Sequence, residues 1–587
     1  MLKKWFIKSR KTDYKEISRN FGISEIVSKL LVNRDITKSD AIKSFIHSTY
    51  ENLHNGRDMK DLEKAVMIMK KKIEAKEKIM ISGDFDVDGA ISIFILYTAL
   101  KKCGAEVIYE IPDRVIDGYG INENIIDKAK DMGVDTIITC DNGIAALEAI
   151  KYGKELGLTI IVTDHHDIPF VEDSEGIREF IRSEADAIIN PKQKDCKYEF
   201  KALCGAGVAF KFIEVLYEEM GIDKSEAYKL IEYVAIATVC DVVDLLDENR
   251  IFVKEGLKLL NETTNLGLME LIKVAGIQGK EISTYHLGFV IGPCINACGR
   301  LDSAKKGVLL LLADNPTEAE SLAKELNDLN KQRKDMTQEG IEKAIEYIES
   351  NKIEKDKVLV VYTPETHESI VGIVAGRIKE HYSVPTIVLT RTKEGIKGSG
   401  RSIDSYNMFE ELNKCKDLLT RFGGHPMAAG LSMEEGNIEA LRKKLLEQTT
   451  LTEEDIIPKI YIDMQLPLEK INFNLINDLR TLEPFGKGNP KPLFAEKQVT
   501  IIKAAILGVR KNVLKLRIIM RNRTYVDGIY FGNIEEFDKI IIDKYGDDEL
   551  SKLYEGKAKV ILDLVFYPTI NEFNGNSSVQ VVIENFR

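Results

Sequence analysis

Acidic residues directly follow runs of aliphatic β-forming residues at three places in this 587-residue chain. Such runs predict strands of a parallel sheet, and open α/β sheets hold their ligands at the carboxyl ends of their strands. The polar groups of the three places are therefore expected to meet at one edge of a sheet. The three segments are Gly83-Asp84-Phe85-Asp86-Val87-Asp88-Gly89, Asp141-Asn142-Gly143 and Asp164-His165-His166.

Two further segments belong with these. Asp241 follows a tract with helical spacing, and a buried carboxylate at that position needs a partner such as a metal ion. The segment Gly423-Gly424-His425-Pro426 has no carboxylate and is typical of a phosphate site. Carboxylates combined with imidazoles predict a pair of divalent metal ions of the kind that hydrolytic enzymes use.

The first acidic segment also opens like an EF-hand calcium loop, with the pattern Asp-x-Asp-x-Asp-Gly. That loop needs a glutamate at its twelfth position, which is occupied here by Ile95 on an apolar helix face. The calcium interpretation therefore fails. Each acidic segment taken alone also has a non-functional interpretation. The first could be a solvated acidic turn, the second an ordinary Asp-Asn-Gly turn, and the third a helix cap at Asp164.

The composition places the chain among globular proteins, with 44% hydrophobic and 30% charged residues, and its length predicts several domains. Its apolar runs are too short to span a bilayer, and its N-terminus lacks the apolar stretch of a secretory signal. The eight cysteines have neither disulfide nor zinc spacing. These features predict a cytoplasmic protein without membrane contact.

The net charge of −12 argues against a nucleic-acid partner, but the charge is unevenly distributed. Residues 501–530 contain a single acidic residue, Asp527, among seven basic ones. A local basic strip can bind phosphates while the rest of the chain stays acidic, although a solvated sheet face is an equal alternative. The basic residues are Lys503, Arg510, Lys511, Lys515, Arg517, Arg521 and Arg523.

Strand and helix patterns alternate from 78 to 245, which predicts a parallel sheet with helices between its strands. The strands are predicted at 78–82, 106–111, 136–140, 159–163 and 187–189. Asn315 and Pro316 predict the start of a long helix that connects two lobes, and residues 357–445 return to α/β patterns. From about 455 strand follows strand, with predicted turns at Asp527-Gly528 and Asn574-Gly575, which indicates a small all-β domain.

The ordered set Gly-Asp-Phe-Asp-Val-Asp-Gly, Asp-Asn-Gly, Asp-His-His and Asp-Val-Val resembles the DHH phosphoesterase superfamily. Further motifs are similar to those of its RecJ family of single-strand-specific 5′ exonucleases. These motifs are Ile111-Pro-Asp-Arg114 with Gly118-Tyr119-Gly120, Cys204-Gly-Ala-Gly-Val-Ala-Phe210, Ile295-Asn-Ala-Cys-Gly-Arg300, Gly372-Ile-Val-Ala-Gly-Arg377, Phe422-Gly-Gly-His425 and Asn571-Glu-Phe-Asn-Gly575.

The resemblance implies a parallel-sheet DHH domain, a long connecting helix, a second smaller α/β lobe and a C-terminal all-β OB-like domain. The implied segments are an N-terminal helical segment at 1–75, the DHH catalytic domain at 76–314, the connecting helix at 315–350, a phosphate- or nucleic-acid-binding lobe at 351–450 and the OB-like domain at 451–587.

The resemblance also implies roles for single residues. One Mn²⁺ or Mg²⁺ ion would be held by Asp88, Asp141, His165 and Asp241. Asp86 with Asp141 would hold a second ion, and Asp84 and His166 would complete the site as catalytic residues. The implied substrate-binding residues are Arg114, Tyr119, Asn296, Arg300, Arg377, Arg401, Gly424 and His425.

The implied activity is two-metal-ion hydrolysis of single-stranded DNA from its 5′ end to mononucleotides, in DNA repair and recombination. The implied partners are a single-strand-binding protein and a helicase, with the chain acting as a monomer. The alternatives are an oligoribonuclease or nucleotide phosphatase of the same superfamily, and an inactive module that binds DNA through its β-domain.

Overall fold

The computed structural model describes residues 3–10, 12–114, 118, 120–172, 178–508, 511–573 and 575–587. The chain forms two compact units. The larger unit is Thr49–Ile456, and the smaller one combines Met1–Ser48 with Ile457–Arg587.

The chain begins with a strand, although the sequence predicted a mostly helical region up to residue 75. The strand is short and its partner lies at the other end of the chain, so that the local sequence gave no signal for it. The elements are β1 (Lys4–Ile7), α1 (Tyr14–Phe21), α2 (Glu25–Asn33), α3 (Ser39–His47) and, in the larger unit, α4 (Leu62–Glu74).

A five-stranded parallel sheet follows, in the order β3-β2-β4-β5-β8. The strands predicted at 78–82, 136–140, 159–163 and 187–189 are confirmed with the same bounds. The elements are β2 (Lys78–Ser82), α5 (Val87–Lys102), β3 (Glu106–Glu110), α6 (Glu123–Asp131), β4 (Thr136–Cys140), α7 (Leu147–Glu155), β5 (Thr159–Thr163), the hairpin β6 (Phe170–Glu172) with β7 (Arg178–Phe180), and β8 (Ala187–Ile189).

Both faces of this sheet are buried, as is usual for parallel sheets. Ile79 and Ile81 of β2 pack into the larger apolar cluster with helix α5, whereas Met80 packs on the opposite face with α6. The carboxyl ends of the strands are therefore the open edge at which polar side chains can collect.

A helical region covers one face of the sheet and leads to the second lobe. The predicted connecting helix is one continuous element of 35 residues, α16, capped by Asn315. The elements are α8 (Gly205–Glu219), α9 (Lys224–Tyr228), α10 (Ile231–Cys240), α11 (Asp247–Asn261), α12 (Leu266–Val274), α13 (Thr284–His286), a π-helical turn (Leu287–Ile291), α14 (Gly292–Leu301), α15 (Lys305–Leu312) and α16 (Pro316–Ser350).

The second lobe is a mixed sheet with helices, in the strand order β12-β13-β11-β10-β9. Its elements are β9 (Leu359–Tyr362), α17 (Val371–Tyr382), β10 (Thr386–Thr392), β11 (Gly395–Arg401), α18 (Met408–Asn413), β12 (Arg421–His425), β13 (Ala428–Met433) and α19 (Ile438–Gln448).

The C-terminal region contains a closed β-barrel, because β16 pairs with both β17 and β19. Helices α20, α21 and α22 interrupt the strands, and Asp527-Gly528 lies inside β18, so that the predicted turn there is wrong. Asn574 of the other predicted turn lies outside the described residues. The elements are β14 (Lys459–Ile462), β15 (Met464–Gln465), α20 (Phe473–Arg480), β16 (Phe494–Leu507), β17 (Val513–Ile519), β18 (Tyr525–Tyr530), α21 (Ile534–Tyr545), α22 (Asp547–Glu555), β19 (Val560–Phe573) and β20 (Asn576–Phe586).

The two ends of the chain are joined by specific contacts within the smaller unit. The Asn33 side chain donates a 2.7 Å hydrogen bond to the carbonyl of Asp463, and the Arg34 guanidinium donates to Asn489 Oδ1 at 2.9 Å. Strand β1 pairs in parallel with β14. Residues 1–48 therefore need the C-terminal region to bury their apolar side chains.

Within the described part of the chain, none of the helices is long and apolar enough to cross a membrane. The eight cysteines are all free thiols, as the spacing predicted.

We expect residues 49–456 to fold as an independent fragment, because this range contains a whole unit with its own cores. In a fragment of residues 1–456, the N-terminal segment loses its partner and should be cleaved rapidly by trypsin, whereas it should resist cleavage in the full chain. Mass spectrometry of the digests measures this difference. Equal protection of residues 1–48 in both proteins would contradict the division into units.

Candidate metal centre

The predicted metal-binding residues of the three acidic segments and Asp241 lie together at the carboxyl edge of the parallel sheet. They form three groups, and the ligand atoms of each group lie within 4.8 Å of one another. Asp141 belongs to two of the groups, as expected for a residue that bridges two ions. The groups are Asp141 with His165 and His166, Asp88 with His165 and Asp241, and Asp84 with Asp86 and Asp141.

Asp88 is fixed by the N-terminus of helix α8. The backbone N–H groups of Gly205 and Ala206 donate to its two carboxylate oxygens at 2.6 and 2.8 Å. A helix N-terminus stabilises negative charge, so that the motif at 204–210 contributes to the site through its backbone. Glycine is required at 205 because a Cβ there would lie 2.7 Å from the Cβ of Asp141.

Asn142 is a buried anchor rather than part of an ordinary exposed turn. Its side-chain amide donates to the carbonyls of Ser82 and Cys140 at 3.1 and 2.9 Å, and its Oδ1 accepts from the backbone N–H of Ile121 at 3.1 Å. It ties the end of β4, which carries Asp141, to the end of β2 and to the start of the segment before α6.

His165 lies among three carboxylates and is nearly buried. Its Nε2 is 2.9 Å from Asp141 Oδ1 and 3.7 Å from Asp88 Oδ2, and its Nδ1 is 3.8 Å from Asp241 Oδ2. Burial, reinforced by the charge of His166, lowers the pKa of His165 to about 3. The imidazole is therefore neutral at physiological pH, which is the form that binds metal ions.

Asp164 holds both histidines in place. Its Oδ1 accepts hydrogen bonds from the backbone of His165 at 2.7 Å and from Nδ1 of His166 at 2.8 Å, and its Oδ2 accepts from the backbone of Ile144. Burial opposes the charged form of His166, but the hydrogen bond and charge of Asp164 raise the pKa of His166 to about 9. His166 therefore carries a proton, while His165 does not.

The carboxylates are strained electrostatically in the absence of a cation. Burial and the charges of their neighbours raise the pKa of Asp88 to about 6 and that of Asp241 to about 8, and they raise the pKa of Asp84 and Asp141 well above the usual range. Asp84 Oδ1 and Asp241 Oδ2 are buried and have no hydrogen-bond partner among the described residues. Buried oxygens of this kind, together with a neutral imidazole, fit hard or borderline divalent cations such as Mg²⁺ and Mn²⁺.

A cavity of about 680 Å³ lies between the two lobes of the larger unit and is lined by cationic side chains from both. Arg114 and Arg300 come from the sheet lobe, and Arg401 comes from β11 of the second lobe. The cationic residues of the lining are Arg114, Arg300, Lys397, Arg401 and Arg421.

These arginines are close to one another and to the acidic site. Burial and the charge of Arg114 lower the pKa of Arg300 to about 10, and Asp86 acts in the opposite direction. Burial also lowers the pKa of Arg114, which lies over the ring of Phe85 at 4.6 Å and interacts with Asp84 and Asp86. Half-buried guanidinium groups that repel each other form a site for an anion, and phosphate matches their geometry.

The other predicted substrate-binding residues are not part of the cavity wall. Gly424 and His425 lie on exposed strand β12, next to the lining residues Phe422 and Gly423. Arg377 forms an exposed ion pair with Glu380 at 3.0 Å, and Asn296 lies on α14 one turn before Arg300. Tyr119 lies outside the described residues.

Two cationic lining residues were missed from the sequence. Arg421 stands directly before the Phe-Gly-Gly-His motif, and this proximity was a usable signal. Lys397 lies on β11 and bonds to Glu368 at 3.1 Å, and nothing in its local sequence distinguishes it from a surface lysine.

The predicted basic strip of residues 501–530 is partly neutralised. Lys515 and Arg517 both contact Asp527, at 2.9 and 2.8 Å, and Arg521 lies 3.2 Å from Glu496. Arg510 lies outside the described residues. The strip is therefore less cationic than its composition indicated.

The chain matches three protein-family models: the DHH family, N-terminal domain, at residues 78–238; the DHHA1 domain at 355–450; and the RecJ OB domain at 462–585. It is 36% identical over 97% of its length to the single-stranded-DNA-specific exonuclease RecJ of Bacillus subtilis, of which it covers 69%. It is 33% identical to RecJ of Escherichia coli, with 90% of each chain covered.

Solved structures agree with these matches. The crystal structure of RecJ in complex with Mn²⁺ from Thermus thermophilus aligns with a TM-score of 0.81 and 25% identity, covering 100% of this chain and 79% of that one. A crystal structure of exonuclease RecJ bound to manganese aligns with a TM-score of 0.58 and 30% identity, covering 68% of this chain and 96% of that one.

We expect Mn²⁺ to stabilise the protein more at pH 8 than at pH 6. The folded-state pKa values of Asp88 and Asp241 are raised, so that the metal-free fold binds extra protons and loses stability as pH rises through about 6 to 8. Mn²⁺ must displace these protons, so that its affinity should rise about tenfold per pH unit for each proton displaced. Thermal unfolding with and without Mn²⁺ measures the shift.

The Asp241→Asn variant is the matched control for this experiment. It should unfold at a higher temperature than the parent when metal-free at pH 8, and it should gain less from Mn²⁺. A Mn²⁺-induced shift of equal size at both pH values in the parent protein would contradict the prediction.

Proposed function

We infer the function from one premise: the chain belongs to the RecJ family of single-stranded-DNA-specific exonucleases, within the DHH superfamily. It is a metal-dependent hydrolase that degrades single-stranded DNA from the 5′ end to mononucleotides, in DNA repair and recombination, and it uses Mn²⁺ or Mg²⁺. The observation that carries this function is the cluster of buried carboxylates and a neutral imidazole beside an arginine-lined cavity.

The metal ligands are proposed from the three groups of side chains. Asp88, Asp141, His165 and Asp241 would hold one ion, and Asp86 with Asp141 would hold the other; these residues are drawn from all three groups. Asp84, which lies just after the end of β2, belongs to the same group as Asp86 and Asp141 and would complete the site of the second ion. Bound Mn²⁺ or Mg²⁺ supplies Lewis-acid polarisation of the phosphodiester and lowers the pKa of a coordinated water.

The protein orients these groups before substrate arrives. The N-terminus of α8 fixes both oxygens of Asp88, and Asn142 fixes the strand end that carries Asp141. Loss of these contacts should slow hydrolysis, because the rate depends on ligands that are already in the correct position when the substrate binds.

His166 is proposed as the proton-carrying residue of the site. Its Nδ1–H donates to Asp164, its side chain is 45% exposed, and Nε2 carries the second proton of the imidazolium. From there it can neutralise charge on a phosphoryl oxygen or on the leaving oxygen.

The arginine-lined cavity positions the strand. Arg114 and Arg300 on one lobe and Arg401 and Arg421 on the other can contact phosphate oxygens from two sides. We propose that this cleft admits one strand and excludes a wider duplex, which would account for single-strand specificity. His425 and Gly424, on the neighbouring strand β12, are proposed as further phosphate contacts.

The partners and location are proposed from the same family membership. Single-stranded DNA is the substrate. A single-strand-binding protein and a helicase that opens duplex ends would supply it, and the chain would act as a cytoplasmic monomer.

Replacement of the bridging carboxylate should abolish turnover without unfolding the protein. Asp141→Asn is expected to lower kcat on single-stranded DNA by at least about a hundredfold, because water activation needs both ions. Rates at saturating Mn²⁺, with circular dichroism as the check on folding, measure the effect. Asp195→Asn is the control, since Asp195 is an exposed partner of Lys60 and should leave the rate unchanged. Near-parental turnover of Asp141→Asn would refute the ligand assignment.

A strand labelled at one end tests both polarity and substrate class. Mononucleotides should appear first from a 5′-labelled single strand, and a blunt duplex should be degraded slowly, because only one strand fits between the lobes. Early release from a 3′ label, or equal attack on blunt duplex, would contradict the function. Faster cleavage of short oligoribonucleotides or nucleotides than of long DNA would favour the oligoribonuclease or phosphatase alternative.

A further inference from the structure

Strand β1 and strand β14 form a two-stranded parallel sheet of their own. Lys4 pairs with Lys459 and Phe6 with Tyr461, and no further strand joins the pair among the described residues. Residue 459 lies before the range matched by the RecJ OB model, and residues 4–7 are far from any matched range. This small sheet is therefore outside the elements to which a function has been assigned above.

The inward face of the small sheet is anchored to the rest of the smaller unit. Trp5, the single tryptophan of the chain, donates from Nε1 to Asn585 at 2.8 Å, and Arg587 lies over its ring at 4.3 Å. Ile460 and Ile462 pack with the same cluster. The orientation of the sheet is therefore fixed.

Because side chains alternate along a strand, the neighbouring residues point outward. Phe6 and Tyr461 are 42% and 56% exposed, and their rings stack with centroids 5.8 Å apart and planes 30° apart. Lys4 and Lys459 stand beside each other on the same face, one step before the rings. We call these four residues the aromatic–lysine face.

Two properties of this face point to an anionic, aromatic ligand. The exposed, stacked rings of Phe6 and Tyr461 offer a surface on which a base can stack. Lys4 and Lys459 place positive charge on the same face as the rings, and cations beside exposed rings are the combination that single-strand binding surfaces use. The chain as a whole is acidic, with a net charge of −12, so that a polyanion needs such local cations to bind.

We propose that the aromatic–lysine face binds single-stranded nucleic acid, with a base stacked on Phe6 or Tyr461 and a phosphate held by Lys4 and Lys459. Repeated bases and phosphates match the succession of lysines and rings on the face, as in other single-strand binding surfaces. The inference rests on the proposed function for the identity of the strand. It gives the N-terminal segment a role in retaining long substrates.

The test compares variants of the full-length chain that carry Asp141→Asn in every case, so that the strand is not cut. Binding of a fluorescein-labelled thirty-nucleotide oligothymidylate is measured by anisotropy over a range of salt concentrations. Phe6→Ala/Tyr461→Ala removes both rings, and Phe531→Ala is the control for an exposed ring in the same unit. Lys4→Gln/Lys459→Gln removes both charges, and Lys497→Gln/Lys539→Gln is its charge-matched control.

Removal of the rings should weaken binding about tenfold, the usual effect of losing one stacked base. Loss of the two lysines should reduce the slope of log Kd against log salt concentration by about 0.7, since each phosphate neutralised on a single strand contributes about 0.7. The controls should bind like the parent. The ring swap Phe6→Tyr/Tyr461→Phe should keep the parental affinity.

The emission of Trp5 shows whether β1 remains docked in each variant. Parental affinity of the Phe6→Ala/Tyr461→Ala variant overturns the inference and leaves the proposed function intact. Absence of single-strand binding by the parent overturns both.

An acidic peptide is the competing occupant, and a labelled oligoglutamate serves as its probe. Ring-dependent binding of oligoglutamate, together with unchanged binding of oligothymidylate, assigns the face to a protein partner and overturns the inference.

Discussion

The mutual repulsion of buried carboxylates at one sheet edge is the constraint on which the larger unit depends. Four aspartates have raised pKa values because burial removes water and each faces the negative charge of another. Such an arrangement is unfavourable in a protein without cations, and it persists only because the rest of the fold holds it. The parallel sheet, the N-terminus of α8 and the buried amide of Asn142 provide this support.

The arginine-lined cavity has the opposite charge, and its like-charged groups also repel one another. Arg300 and its neighbours repel one another next to the acidic edge, so that each half of the cleft lacks the counterion that a substrate complex provides. A phosphodiester bound between metal ions and these guanidinium groups would supply counterions to both halves at once. Affinity for the substrate and affinity for the ions are therefore expected to be coupled.

The sequence predicted the parts that depend on local patterns. Aliphatic runs predicted four strands with their correct bounds, and the residues after them are candidate metal ligands that the structure brings together. The prediction was weaker where distant residues decide the outcome. Strand β1 exists because β14 pairs with it, Lys397 reaches the cavity through the order of strands in the second lobe, and the basic strip is neutralised across β17 and β18.

The pairing of β1 with β14 has a consequence for how the chain is made. Lys8 contacts Asp463 across 455 residues of sequence, and synthesis of that stretch takes roughly 20–90 s at the usual rate of translation. During this time the N-terminal segment has left the ribosome without the surface it will cover, while the catalytic unit can already fold. The residues of this N-terminal segment are thus synthesised well before the surface that they cover, and until that surface exists their apolar side chains are exposed and prone to aggregation.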